Sequence, residues 1–381
     1  MRVTVFSSHS GARVSANPES RNTSRISLWI PGSLASLAPR NDDWGFPLFG
    51  ITRYTSTRMP NLLILTEVQE AMRARYKAML LEQFPQLTIN VVGHHTLVEP
   101  YIADTDILLC FSPPMADHVV RDAARLKWIQ ALGTGVDNIV DLPSLGKEVL
   151  VTNIRGIHGA PVSEATIAYM LSLARDLPRS VHAQDKCTWE RWPSQLLDGK
   201  TVGILGVGLI AEYLAPICKL FGMTVIGITG TPRAAKSFDR MVKRDDLVKV
   251  AGELDFLVAL IPMSADTRNI VGEKVFAAMK PTAYLVNVAR GGVVDEAALI
   301  KALESEQIAG AALDVFAQEP LPGDSPLWKT KNLTLFPHLG GYSQGYEDRA
   351  MPTIAGNMRK FLSNDLKNMT NIVRRPASWG D

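Results

Sequence analysis

Residues 201–211 read TVGILGVGLIA, and this stretch decides the fold of the chain around it. Val202 to Leu205 is an apolar run that stops at Gly206-Val207-Gly208. A helical pattern follows from about Leu209 to Phe221, and a second β-like run covers Thr224 to Ile228. Strand, tight glycine turn, helix and strand within about 30 residues form the setting of a dinucleotide-binding fingerprint. Gly206 lets the turn close, Gly208 lets the backbone approach a pyrophosphate, and Ala211 keeps the third position small so that helix and strand pack closely. The first amides of the helix, at Leu209 and Ile210, have no intrahelical partner and offer phosphates the positive end of a helix dipole. The alternative is any tight strand-to-helix turn. The flanking elements favour the cofactor reading, with NAD or NADP as the ligand.

Bulk composition narrows the class. The 381 residues are 46% hydrophobic and 20% charged, which suits a globular protein long enough for two domains. A net charge of +2 gives no case for a nucleic-acid or membrane-surface partner. There is no run of 18 apolar residues to span a bilayer. Cys110, Cys187 and Cys218 are too widely spaced for a zinc site or a disulfide framework, so free thiols, a cytoplasmic setting and no metal are expected.

Residues 1–58 stand apart. They hold seven Arg, no Lys, three acidic residues and ten Ser, for a net charge of +4 against −2 for the remainder. Arg-rich, Ser-rich and acid-poor composition fits an organelle transit peptide. It equally fits a disordered tail, or an extension upstream of Met59; the absence of a clean amphipathic helix favours these plainer readings. From Asn61 onward strands and helices alternate, which predicts parallel sheets covered on both faces. Residues 59–157 read as one α/β domain. A helix over Pro161 to Leu177, apolar nearly all round, joins it to a second α/β domain, and a polar loop with Trp189, Trp192 and Pro193 leads into Thr201.

Arg290, Glu319 and His338 fall at, or shortly after, predicted strand ends, where doubly wound sheets bind ligands. A guanidinium can orient the carboxylate and carbonyl of a 2-oxo acid. A histidine can donate a proton to the developing alkoxide near neutral pH, and a carboxylate beside it fixes its tautomer and favours its charged form. Singly, each has a plainer reading: a surface Arg at a turn, a solvated loop acid and a satisfied strand-end His.

Together they sit in ordered segments: GTGVDNI at 133–139, HGAPVSEA from 158, TVGILGVGLIA at 201, LVNVARGGVVDEAAL at 285, AALDVFAQEPLP at 311 and PHLGGYS at 337. From about Lys127 to Ser343 the chain resembles the D-isomer-specific 2-hydroxyacid dehydrogenases. That resemblance implies a Rossmann cofactor domain (158–339) inserted in a flavodoxin-like substrate domain (59–157 plus 340–381), both doubly wound, with the active site between them. It implies Arg290 as substrate-binding Arg, His338 as general acid/base and Glu319 as its paired acid. It places substrate carboxylate at the backbone near Thr134 and Gly135, and cofactor at Gly206, Gly208, Leu209, Ile210, Ala289 and Asp314, the last of these at the nicotinamide carboxamide. It implies a small 2-oxo or 2-hydroxy acid as substrate and a homodimer. Dinucleotide-sensing corepressors share the resemblance, so a binding protein is the alternative to an enzyme.

One position departs from the simplest pattern. An NAD site carries Asp or Glu at the end of the second strand to bind the ribose 2′-hydroxyl. Here that position is Thr229, and no acid occurs between Tyr213 and Phe238. Thr229-Gly230-Thr231-Pro232-Arg233 supplies a hydroxyl and a cation instead, which suits the 2′-phosphate of NADP, unless Arg233 points into solvent.

Overall fold

A computed structural model of the chain describes residues 58–111 and 115–380. The leader reading for 1–58 therefore falls almost wholly outside the described residues.

The first sheet is built from β1 (Asn61–Leu65), β2 (Thr88–Val92), β3 (Ile107–Cys110), β4 (Trp128–Ala131) and β5 (Leu150–Thr152). These five are parallel, in the order β2-β1-β3-β4-β5. That is the flavodoxin-like order, with its switch point between β1 and β3. Near-continuous apolar runs such as LLIL and ILLC are what strands buried on both faces require. Leu62, Ile64, Leu109 and Trp128 pack beneath the helices Glu70–Gln83 and Tyr346–Leu362, while Leu63, Leu108 and Ile129 face the opposite layer.

The second sheet comprises β6 (Thr201–Leu205), β7 (Thr224–Thr229), β8 (Arg240–Lys243), β9 (Phe256–Ala259), β10 (Tyr284–Asn287), β11 (Gly310–Leu313) and β12 (Leu333–Leu335). Its order is β8-β7-β6-β9-β10-β11-β12, all parallel. This is the Rossmann order with one extra strand, and its switch point lies between β6 and β9. The helices Gly159–Arg175 and Leu209–Leu220 cover one face, and Leu247–Ala251, Glu273–Ala278 and Glu296–Glu304 lie on the other. After β12 the chain returns to the first sheet through the helix Tyr346–Leu362 and β13 (Ile372–Arg374), an antiparallel edge strand on β5.

Three features differ from the sequence reading. The long helix stops at Arg175, because Asp176 takes a left-handed conformation (φ 53°). A second helix, Leu177–Asp185, then occupies part of the expected polar loop, with Pro178 in its first turn. Strands β8 and β13 were not legible. Both are short edge strands, half-exposed and carrying charge, so neither shows an apolar run.

The returning helix is tied down by a buried polar network. Trp128 Nε1 donates to Thr152 Oγ1 (2.8 Å), which donates to Gln130 Oε1 (2.8 Å). Asn357 Nδ2 donates to the same Gln130 oxygen (3.0 Å) and to the Thr370 carbonyl (3.0 Å), and its Oδ1 accepts the Thr370 amide (2.7 Å). Asn357→Leu would fill a similar volume but take one of two donors from the buried Gln130 oxygen, which keeps Thr152, and both side-chain partners from the part-buried Thr370 backbone. It should lower unfolding free energy by about 1–3 kcal/mol in urea titration. A loss under about 0.5 kcal/mol, the range of a surface change, would show that the network does not hold the helix.

Candidate functional site

The exits of adjacent strands β10, β11 and β12 carry Arg290, Asp314 to Glu319, and His338. His338 Nδ1 lies 2.7 Å from Glu319 Oε2, and Glu319 Oε1 accepts the Phe316 amide at 2.9 Å. Burial would raise the Glu319 carboxyl. The hydrogen bond and charge of His338, the Phe316 amide and the charge of Arg290 outweigh it and hold Glu319 below the ordinary carboxylate range. An ionised carboxylate only accepts, so Nδ1 of His338 carries the proton in this pair and Nε2 is left for another partner.

His338 itself is left-handed (φ 53°), a conformation uncommon outside glycine. Asp314 holds it there. The Asp314 carbonyl accepts the His338 amide at 2.9 Å. Its side chain, only 2% exposed, accepts from Leu339 N (2.8 Å), Gly340 N (2.8 Å) and Tyr169 Oη (2.9 Å). Burial and the Asp314 charge raise the pKa of the Tyr169 phenol, so it stays a donor. Both Asp314 oxygens are therefore engaged within the protein.

Arg290 reaches towards the loop after β4. Its Nε donates to Asp137 Oδ2 (2.8 Å) and its Nη1 to the Ala289 carbonyl (2.7 Å). A Cβ on Gly135 would lie 1.6 Å from Arg290 Nη2, so only glycine admits the guanidinium there. Thr134 stands beside it, its Oγ1 donating to the Ile154 carbonyl at 2.9 Å. The structure thus brings Arg290, Glu319 and His338 together, with Gly135 against Arg290 and Thr134 next to Gly135 in the chain.

The fingerprint turn lies at the second switch point. Gly206 has φ 100°, and a Cβ there would sit 2.6 Å from the Ile261 amide nitrogen, at the exit of β9. Nothing lies within 4 Å of the Cβ position of Gly208, and no side chain caps the helix Leu209–Leu220. Open space, an uncapped helix start and the exposed Leu209 beside half-buried Ile210 fit a pyrophosphate. Thr229 ends β7 half-buried. Arg233 pairs with Glu212, on the first turn of that same helix. No cluster of three or more metal-binding side chains occurs among the described residues.

Asp137, His158, Tyr169, Glu212 and Tyr346 were not singled out from sequence. Asp137 and His158 sit inside the quoted GTGVDNI and HGAPVSEA segments, and that was their only signal. His158 is buried, with Nδ1 2.9 Å from Thr134 Oγ1 and Nε2 3.0 Å from Tyr346 Oη, which donates to the Leu132 carbonyl (2.6 Å). With neutral His158, the three side chains bring three protons to four contacts, so one contact lacks a donor.

A family model described as "D-isomer specific 2-hydroxyacid dehydrogenase, NAD binding domain" matches residues 167–340. D-3-phosphoglycerate dehydrogenase of Methanocaldococcus jannaschii is 34% identical over 279 residues, covering 72% of this chain and 53% of that protein. Glyoxylate reductase of Korarchaeum cryptofilum is 32% identical over 289 residues, covering 73% of this chain and 87% of that protein. A solved D-isomer-specific 2-hydroxyacid dehydrogenase family protein from Aeromonas salmonicida subsp. salmonicida A449 superposes with a TM-score of 0.74. It is 32% identical, with 83% of this chain and 99% of that one covered. The chain spans about half the length of the curated phosphoglycerate dehydrogenases it matches.

Burial, with the charges of Arg349 and Arg290, pulls the pKa of His158 down to about 4. The unfolded chain takes up this proton near pH 6.5, while the folded chain resists until about pH 4. The stability contributed by neutral His158 is therefore complete above about pH 6.5 and is lost as the pH falls towards 4. His158→Gln should flatten the decline in urea midpoint between pH 6.5 and 5, before most carboxylates titrate. Parallel declines in parent and variant would assign that proton uptake elsewhere.

Proposed function

The chain belongs to the D-isomer-specific 2-hydroxyacid dehydrogenases, and from that premise we propose that it reduces a small 2-oxo acid to a D-2-hydroxy acid with NADPH or NADH, or runs the reverse. The observation that carries this reading is the His338–Glu319 pair placed beside an Arg290 that lies against Gly135. Thr134 and Gly135 receive the substrate carboxylate, and Arg290 orients it together with the oxo group. His338 donates its Nε2 proton to the alkoxide as it develops. Glu319 fixes the tautomer through Nδ1 and stabilises the charged ring that must enter the reductive reaction. The bound dihydronicotinamide supplies the hydride. Residues 59–157 with 340–381 form the substrate domain, and 158–339 the cofactor domain.

Thr229 and Arg233 favour NADP, since neither repels a 2′-phosphate. Arg233 must exchange its Glu212 partner for that phosphate. A homodimer and a cytoplasmic setting belong to the same proposal. Leu177, Val181, Trp189 and Leu196 are exposed along one segment, Trp189 by 91%, which suits burial against a second copy. No helix among the described residues is long and apolar enough to cross a membrane.

The test is turnover of a panel of 2-oxo acids with each cofactor. The parent should reduce at least one, and His338→Ala should lower kcat by about 10²–10⁴-fold while cofactor binding, read by fluorescence titration, persists. Dinucleotide binding with no turnover of any acid would replace the enzyme with the sensor. NADPH should bind more tightly than NADH, and Thr229→Asp should reverse the order; equal affinities in the parent would remove the NADP assignment. Sedimentation should give twice the 41.7 kDa chain mass, and a monomer would remove the dimer.

A further inference from the structure

We infer that Asp137 is a positioning residue for the substrate, acting through Arg290; this rests on the proposed role of Arg290. A guanidinium has five N–H groups in a fixed plane. One, on Nε, is taken by Asp137 Oδ2 at 2.8 Å, and one, on Nη1, by the Ala289 carbonyl at 2.7 Å. The remaining three are one on Nη1 and both on Nη2, so the Nη2 end of the fork carries two of them. Nη2 is the atom that a Cβ on Gly135 would strike, so that end lies over the backbone of Gly135.

Gly135 and Asp137 are two residues apart in one loop. The same loop therefore offers the carboxylate site and grips the cation that shares it. The pair also spans two sheets, because Asp137 follows β4 in the first and Arg290 follows β10 in the second. Without Asp137 the Nε edge has no carboxylate to hold it, and the plane of the guanidinium can turn about its last side-chain bonds. An Arg that has lost its orientation still attracts an anion but no longer presents parallel donors to a carboxylate and carbonyl. The loss should therefore show in kcat and in recognition of the oxo-acid shape, with cofactor binding untouched.

The competing view is that Asp137 is a stand-in anion that the substrate displaces from Arg290. The two views differ in sign. In the full-length chain, Asp137→Ala should lower kcat at least tenfold and leave the Kd for NADPH within twofold. It should also weaken binding of oxamate, an unreactive analogue of a 2-oxo acid, at least tenfold. Asp137→Asn keeps an acceptor oxygen and should stay within threefold of the parent on all three readouts. The carboxyl is partly exposed, so neither variant should lower Tm by more than a few degrees. Tighter oxamate binding by Asp137→Ala would overturn the inference in favour of the stand-in anion. Unchanged kcat and oxamate Kd would overturn it in favour of an inert ion pair. A parent that binds oxamate through Asp137 but turns over no 2-oxo acid would support the inference and sink the enzymatic reading. A parent that neither binds oxamate nor turns over any 2-oxo acid would overturn both.

Discussion

A single buried carboxylate organises the site. Asp314 leaves β11 inside the protein, where an unpartnered charge would be prohibitive. Three donors meet it, one from the helix Gly159–Arg175 and two from the turn after His338. Each is a hydrogen bond to a charged group, the stronger kind, and losing one would leave part of the charge unsatisfied. The carboxylate thereby fixes a turn in which His338 adopts a left-handed backbone. That turn carries the imidazole to Glu319. Tyr169 reinforces it by stacking on Phe336 with ring centroids 3.8 Å apart. The resemblance implies a cofactor contact for Asp314, and its oxygens also brace the turn that bears His338.

The two sheets meet through contacts of different depth. At the buried end His158, at the start of the helix Gly159–Arg175, touches Tyr346, and a part-buried contact links it to Thr134. At the open end Arg290 and Asp137 pair while both remain about a third exposed. Buried contacts are costly to separate because their polar atoms have no water to turn to, whereas exposed ion pairs exchange with solvent at little cost. Each sheet also has its own apolar layers, so neither depends on the other for its core.

Much of this was legible in the sequence because its signals are local. Gly206, Gly208 and the apolar run before them report a strand, a turn and a helix start within a dozen residues. Arg290, Glu319 and His338 follow predicted strand ends, and doubly wound topology gathers such ends on one edge. What escaped the reading depends on distance in sequence. Glu212 and Arg233 are 21 residues apart, and Glu212, the partner that Arg233 uses, stands one residue before the acid-free stretch Tyr213 to Phe238. Asp137 meets Arg290 across 153 residues, and His158 meets Tyr346 across 188. No periodicity or spacing rule reports such pairs; they exist only once two sheets are folded and adjacent.

The same reasoning explains why the chain can leave the first sheet at residue 158 and return near residue 346. Five parallel strands already bury apolar side chains on both faces, but one face needs the helix Tyr346–Leu362 as cover. That helix presents Met351, Ile354, Met358 and Phe361 to the sheet, an apolar stripe of helical period. Apolar contact alone would tolerate sliding along the sheet. Asn357 does not, because its amide must meet Gln130 and Thr370 at once. The register so fixed also sets Tyr346 at the start of the helix, where its hydroxyl reaches Leu132 and His158. A buried asparagine three turns into the helix thus positions the tyrosine that contacts the histidine beside Thr134.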